Sequence, residues 1–182
     1  DGTLSNRSER IVEDGRTFAY VLHEGDIRIA ITQNDVRAIQ LAKAALYAGV
    51  RLLMDKLNVD KVDRIRLAGA FGSHIDVKYA MILGLIPDCA LENVTSAGNA
   101  AGSGAHIALV DANAGEEIER EIRRIEKVET AVESRFQEHF VEAMAIPHKS
   151  APFEELGKAV VLPVCDNVAS QTPASGRRRR RR

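Results

Sequence analysis

Two glycine-rich segments carry the residue types and spacing from which binding chemistry can be built. In AGAFGSHID, residues 68–76, Gly69 and Gly72 bracket Ala70 and Phe71 and stand just before Ser73. Backbone without Cβ atoms lets a ligand approach closely. A helix that follows offers free N–H groups and a positive dipole end to an anion or a polar ring edge. In SAGNAAGSG, residues 96–104, Gly98 and Asn99 lead into further small residues. Asn99 has both a donor and an acceptor, as recognition of adenine or ribose requires. Each segment also has an explanation without a ligand, the first as a tight strand-to-helix connection and the second as close helix packing. Two in succession are more informative than either alone. The dinucleotide G-x-G-x-x-G and the P-loop G-x-x-x-x-G-K-[ST] are both absent.

Other reactive side chains give less. His74 and Asp76 follow the first segment, where a surface histidine beside a helix-capping aspartate is the commoner outcome. His106, His139 and His148 are isolated in sequence, and no nucleophile elbow or Ser/His/Asp spacing occurs. Cys89 and Cys165 form no CxxC pair, so a zinc or iron–sulfur site within this sequence is not expected. The residues supply binding groups but no catalytic set.

The elements that must position these groups follow from local pattern. Residues 1–16 are polar and read as a loop. Residues 17–22 (TFAYVL) and 27–31 (IRIAI) are β-prone and flank Gly25, which predicts a hairpin. Thr32 with Asp35 makes a capping-box-like start for a helix reaching about residue 57, with Val36, Ile39, Leu46, Val50 and Leu53 near helical spacing. On that helix Lys43, Arg51 and Lys56 are expected to face solvent. Residues 64–70 read as a short buried strand that ends in the first glycine segment, taken as a turn, before a helix over 75–83. Residues 91–94 form a second strand candidate, and the second glycine segment leads into a helix from about 105. Residues 116–127 predict an amphipathic helix with Ile118, Ile122 and Ile125 on one face. Residues 128–132 suit a strand or a helix, and Ser134 starts a helix carrying Phe136 and Phe140. The pattern fades after His148, which predicts an ordered region over 1–148 and a poorly ordered tail over 149–182.

Composition narrows the class. The 45% hydrophobic and 28% charged content of the 182 residues suits a globular α/β protein, and 4% aromatics without tryptophan does not supply stacking platforms for single-stranded nucleic acid. The six arginines at 177–182 are among 25 basic residues set against 26 acidic ones, so the body before them carries a net charge of −7. Such a body is not built to hold a polyphosphate backbone. No apolar run reaches the roughly 20 residues of a membrane span, and no signal peptide is evident, which predicts a cytoplasmic protein. The first residue is Asp, as in a sequence that begins inside a longer protein.

The segments ITQNDVRAIQLAKAALYAGVRLLM (31–54), RLAGAFGSHIDVKYAMILGLIPD (66–88), SAGNAAGSGAHIAL (96–109) and FQEHFVEAMAIPH (136–148) resemble, in order and spacing, the C-terminal part of the ATP-dependent reductive activators of corrinoid proteins. These belong to the acetate and sugar kinase, heat-shock ATPase and actin superfamily. The resemblance implies a ribonuclease H-like α/β fold, of which this chain would be much of the second lobe. It also implies ATP with Mg as cofactor, with Gly69, Ala70, Phe71, Gly72, Ser73, Gly98 and Asn99 on the adenosine side of the site. It implies a corrinoid protein as partner, whose cobalt is returned from Co(II) to Co(I) for methyl transfer, and is compatible with a homodimer. The iron–sulfur cluster of such activators would lie in a region absent here, as would the phosphate loops; Asp1-Gly2-Thr3 only superficially resembles one. The fragment alone should not be a competent activase. A small-molecule kinase of the same superfamily and a non-catalytic binding module are the rival readings, the first lacking an identifiable catalytic Asp and the second resting on the arginine run.

Overall fold

The computed structural model describes residues 8–162. Asp1-Gly2-Thr3, Cys165 and the arginine run lie outside the described residues. The expectation of a loop up to residue 16 is corrected by a strand, β1 (Ile11–Asp14), which turns into β2 (Thr17–His23). Asp14 pairs with Thr17, so the turn has two residues, and Gly15 takes a φ of +62° at the first of them. Glycine at the first of two loop residues suits a tight hairpin turn, and only the shortness of β1 hides the signal. The predicted second hairpin is present, β2 pairing antiparallel with β3 (Ile29–Thr32). These strands form one sheet in the order β1-β2-β3.

Helix α1 (Gln33–Lys56) starts at the predicted capping box. The Asp35 amide donates to Thr32 Oγ1 at 3.1 Å and the Thr32 amide to the Asp35 carboxylate at 2.8 Å. These bonds hold the exposed Asp35 carboxyl below its ordinary pKa. The face that α1 buries is not the apolar stripe that identifies it. Gln40, Lys43, Ala44, Tyr47, Ala48 and Leu52 are buried, whereas Ile39, Leu46 and Leu53 are exposed.

The expectation that Lys43 faces solvent is therefore overturned. Its side chain is fully buried, and Nζ donates to the carbonyls of Ala145 and, at 2.6 Å, Pro147. Gln40 Nε2 donates to Met144 O at 3.0 Å. Those carbonyls follow the end of α6 (Ser134–Ala143), where a helix has no donors left to satisfy them. Arg51 and Lys56 are partly exposed and sit in ion pairs with Asp55 at 3.3 Å and Glu133 at 2.6 Å.

The second half of the fold is built on two parallel strands, β4 (Ile65–Ala68) and β5 (Val94–Gly98). Between them come α2 (Gly69–His74), α3 (Val77–Leu83) and a 3₁₀ turn, Leu91–Asn93. After them come α4 (Ala100–Val110) and α5 (Ala114–Ile122). The predicted strand over 91–94 thus begins three residues later, and the segment at 69–73 is helical rather than a turn. Residues 128–132 are in neither strand nor helix.

The core joins Ala44 and Tyr47 of α1, Ala80 and Met81 of α3, Cys89, Val94 of β5 and Ala143 of α6. It runs past residue 148, because Phe153 and Leu156 are buried in it and α7 (Glu154–Ala159) follows the chain's loss of pattern. Asp88 fixes that last helix, its carboxylate accepting from the amides of Glu155 at 2.8 Å and Leu156 at 3.0 Å.

Burial pulls the Lys43 pKa down to about 8. The unfolded chain keeps this proton up to about pH 10.4, so between about pH 8 and 10.4 the unfolded state binds the extra proton and stability rises with pH. Lys43→Met abolishes that titration. Urea unfolding of both chains over this window should show the stability difference moving in favour of Lys43 as pH rises; a flat or opposite trend would contradict the buried ammonium.

Candidate functional site

The two glycine segments meet. In the parallel pair, Ala68 of β4 lies opposite Gly98 of β5, so Gly69 and Gly98 are neighbours at the carboxyl ends of adjacent strands. In open α/β sheets this is the end from which ligands are bound. Gly69 has a φ of +90° and Gly98 a φ of +61°, backbone conformations that other residues adopt only under strain. A Cβ on either would meet no atom within 4 Å. The space beside both is open, and each glycine delivers the chain directly into a helix, α2 or α4.

The remaining predicted residues divide around this pair. Gly72 is buried, and a Cβ there would stand 2.9 Å from the Leu67 backbone, so α2 needs glycine at that point to lie against β4. Ser73 Oγ donates to Gly69 O at 2.9 Å, and the His74 Nδ1–H donates to Ala70 O at 2.8 Å. These bonds help to hold a six-residue helix that contains two glycines. Ala70 and Phe71 are exposed, the Phe71 ring at 71%. Asn99 is the N-cap of α4, its Oδ1 accepting from the Gly102 amide at 3.0 Å. Its side-chain oxygen is thus already used by the helix, which leaves the amide NH₂ as the group it can offer outward. Asp76 caps α3 by accepting from the Tyr79 amide, as its position suggests.

The arrangement is an open ledge of backbone and small side chains at the strand ends. No group of three or more His, Cys, Asp or Glu side chains that could hold a metal gathers among the described residues. Cys89 is buried away from the glycines, and burial raises its thiol pKa. The open space beside Gly69 and Gly98 leaves backbone that a flat ligand can approach closely; an iron–sulfur cluster finds no ligand set among the described residues.

A cavity of about 570 Å³ lies at the other, amino-terminal end of the strands, lined by Tyr47, Arg51, Asp63, Asp88, Cys89 and Phe153 among others. The sequence offers no signal for it, since its lining comes from segments distant in the chain. Beside it, His139 Nε2 and Asp55 Oδ2 lie 2.6 Å apart and Arg135 is 2.9 Å from the same oxygen. Burial would raise the Asp55 pKa, but the hydrogen bond to His139 and the nearby charges of His139, Arg135 and Arg51 bring it below the ordinary value. His148, close to Tyr47 with ring centroids 4.8 Å apart, has its pKa lowered by burial. Its Nδ1 accepts from the amides of Ser150 and Ala151, so it shapes the chain there.

Comparison with known proteins gives the family and the fold. The family model described as the C-terminal domain of RACo, the ASKHA domain, matches residues 1–157. Over 84 residues the chain is 48% identical to the corrinoid activation enzyme RamQ of Eubacterium limosum, which covers 45% of this chain and 14% of that enzyme. A solved reductive activator for corrinoid, iron-sulfur protein shares the fold with a TM-score of 0.67 at 33% identity, over 77% of this chain and 23% of the other. The chain therefore spans less than a quarter of the length of these relatives.

Because Gly69 and Gly98 need positive φ, Gly69→Ala and Gly98→Ala should each cost about 1 kcal/mol in stability. Gly104, inside α4 with nothing within 4 Å of a Cβ, should behave oppositely, Gly104→Ala gaining up to about 1 kcal/mol. Urea unfolding of the three variants checks this, and the same sign at all three would show that the strand ends impose no special backbone.

Proposed function

This chain belongs to the family of the C-terminal ASKHA domain of RACo, with its actin-like ATPase fold, and we propose on that basis that it supplies the adenosine side of the ATP site of a reductive activator. The substrate of the parent protein is a corrinoid protein whose cobalt has fallen to Co(II), and the product is the Co(I) form needed for methyl transfer. The observation that supports this reading most directly is the pair of left-handed glycines, Gly69 and Gly98, side by side at the carboxyl ends of β4 and β5.

In this reading Gly69, Ala70 and Gly98 offer a bare backbone to the flat face of adenine or to ribose. Phe71 adds an exposed ring beside them, and the Asn99 amide a donor. Gly72 and Ser73 act from behind, by keeping α2 against β4. ATP, bound with Mg, would supply a nucleotide-dependent difference in binding free energy, so that the activator and the corrinoid protein associate in a form whose cobalt is easier to reduce. The electron carrier, the phosphate-binding groups and the catalytic residues would belong to other parts of the parent protein, and the reaction to the cytoplasm. The described chain includes no helix long and apolar enough to cross a membrane.

The test uses the full-length parent protein, Co(II) corrinoid protein and an excess of reductant. The visible spectrum should convert to that of Co(I) only when ATP is added; conversion independent of ATP overturns the reading. Gly69→Val and Gly98→Val, each shown by circular dichroism to be folded, should weaken ATP binding by about tenfold or more, a change of roughly 1.4 kcal/mol. Ser8→Ala, on the exposed approach to β1, should leave ATP binding unchanged, and an equal loss in all three variants would remove the glycine pair from the site.

A further inference from the structure

The cavity at the amino-terminal end of β4 and β5 continues past Tyr47 into a smaller one, of about 240 Å³, on the α6 side. Tyr47, Arg51 and Ala151 line both, so the two form one trough. Tyr47 is only 7% exposed. Its hydroxyl has no hydrogen-bond partner among the described residues, and no buried side-chain oxygen is left in that state, so the hydroxyl itself reaches the trough surface. A phenol held in this way offers its oxygen to a donor from outside.

The trough is more acidic than its own cations can answer. Seven Asp or Glu side chains line it, against three of Lys or Arg. Those three are spent: Arg51 pairs with Asp55 and Asp60, Arg135 with Asp55 at 2.9 Å, and Lys61 with Glu154 at 3.5 Å. Asp63 and Glu138, both exposed, and the half-buried Glu142 have no ion pair among the described residues. Burial raises the Tyr47 pKa, Arg51 opposes this, and Asp88 and Glu142 add to it, so carboxylates from both ends of the trough act on one hydroxyl. No three acidic, His or Cys side chains gather closely enough among the described residues to hold a metal ion. The trough therefore suits an extended organic cation.

Such a cation belongs to the same chain. Residues 163–176 include one acid, Asp166, and no Lys, Arg or His, and residues 177–182 are six arginines. Glu154 and Glu155 stand on the trough at the start of α7, and Leu162, the last described residue, follows at most about 20 Å further on. From Leu162 to Arg177 the chain can reach up to about 50 Å. We propose that the trough is the seat of the chain's own arginine run, residues 177–182, whose guanidinium groups meet the carboxylates of Asp63, Glu138 and Glu142 and the hydroxyl of Tyr47.

The planar fork of a guanidinium matches a carboxylate with two hydrogen bonds. Each exposed ion pair is weak, but tethering raises the local concentration of arginine to about millimolar, so several weak pairs suffice together. The acids of α5 are no equal alternative. Glu119 and Glu121 already pair with Arg123 and Arg124 of their own segment, and Glu116 and Glu117 line neither cavity. This seat lies at the opposite strand end from Gly69 and Gly98 and is independent of the nucleotide reading.

A labelled hexa-arginine peptide, followed by fluorescence anisotropy at low salt, is the probe. It should bind about tenfold or more tighter to the full-length chain in which residues 177–182 are all exchanged (Arg177→Gln and so on to Arg182→Gln) than to the native chain. In the exchanged chain Tyr47→Phe, which alters no charge, should weaken the peptide by about threefold or more. Asp63→Asn with Glu138→Gln should weaken it by about fivefold or more. Glu116→Gln with Glu117→Gln removes the same charge from α5 and should change it by less than about twofold. Circular dichroism should be the same for every variant. Equal affinity for the native and exchanged chains overturns the proposal, because the native trough is then unfilled. So does a loss that the α5 exchanges share, or that Tyr47→Phe fails to cause, since binding would then follow overall charge. A contrast that vanishes when the chain is diluted would place the arginines on another copy and overturns it as well.

Discussion

An ammonium group removed from water must find its partners inside the protein, and Lys43 finds them in the carbonyls of Ala145 and Pro147, just past the end of α6. Those carbonyls need donors as much as the ammonium needs acceptors. The exchange fastens α1 to α6 near one end. At the other end Asp55, His139 and Arg135 join the same two helices, and Lys56 reaches Glu133. Between these polar fastenings lie Ala44, Tyr47 and Ala143, small or flat enough for close approach. Burying a lysine costs desolvation, and the arrangement is tolerable because the ammonium is hydrogen-bonded where it lies.

From this helix pair the order passes to the strands. The core that α1 and α6 share includes Met81 of α3 and Val94 of β5, so the layer carrying β4 and β5 is set against them. Gly72 then lets α2 settle on the Leu67 backbone, which places Gly69 beside Gly98. The ledge is consequently a product of packing behind it, while its front is bare.

What could be read from the residues beforehand was local in origin. Thr32 and Asp35 announce a helix start through their own spacing, and they cap α1 as read. The runs at 17–22 and 64–70 have the β-prone character that the strands confirm in position, within a few residues. The glycine segments stand out by composition, but their conformation does not follow from it: α2 has a sequence that helix propensity disfavours, and it is held by Ser73, His74 and contact with β4. Lys43 and Gln40 were illegible for a different reason. Polar side chains are usually found at the surface, and nothing near them in sequence reveals carbonyls about a hundred residues away that need donors. Ile118 and Ile122 of α5 show the reverse case, a helix recognised by its pattern, though it ends at Ile122 and not at 127, whose apolar face the described residues leave uncovered.

Asp88 gives the structure its closing step. It lies in the loop ahead of β5, yet the amides that it receives belong to Glu155 and Leu156, 67 and 68 positions later. Until that stretch has been synthesised, the carboxylate stays in water and the hollow that Phe153 and Leu156 occupy stands open. A chain growing from its amino terminus can therefore form its helix start and its hairpins early, but the interior is sealed only by nearly the last of the described residues. Cutting the polypeptide at 148, where its sequence pattern weakens, would remove the plug and leave a looser particle with exposed apolar walls.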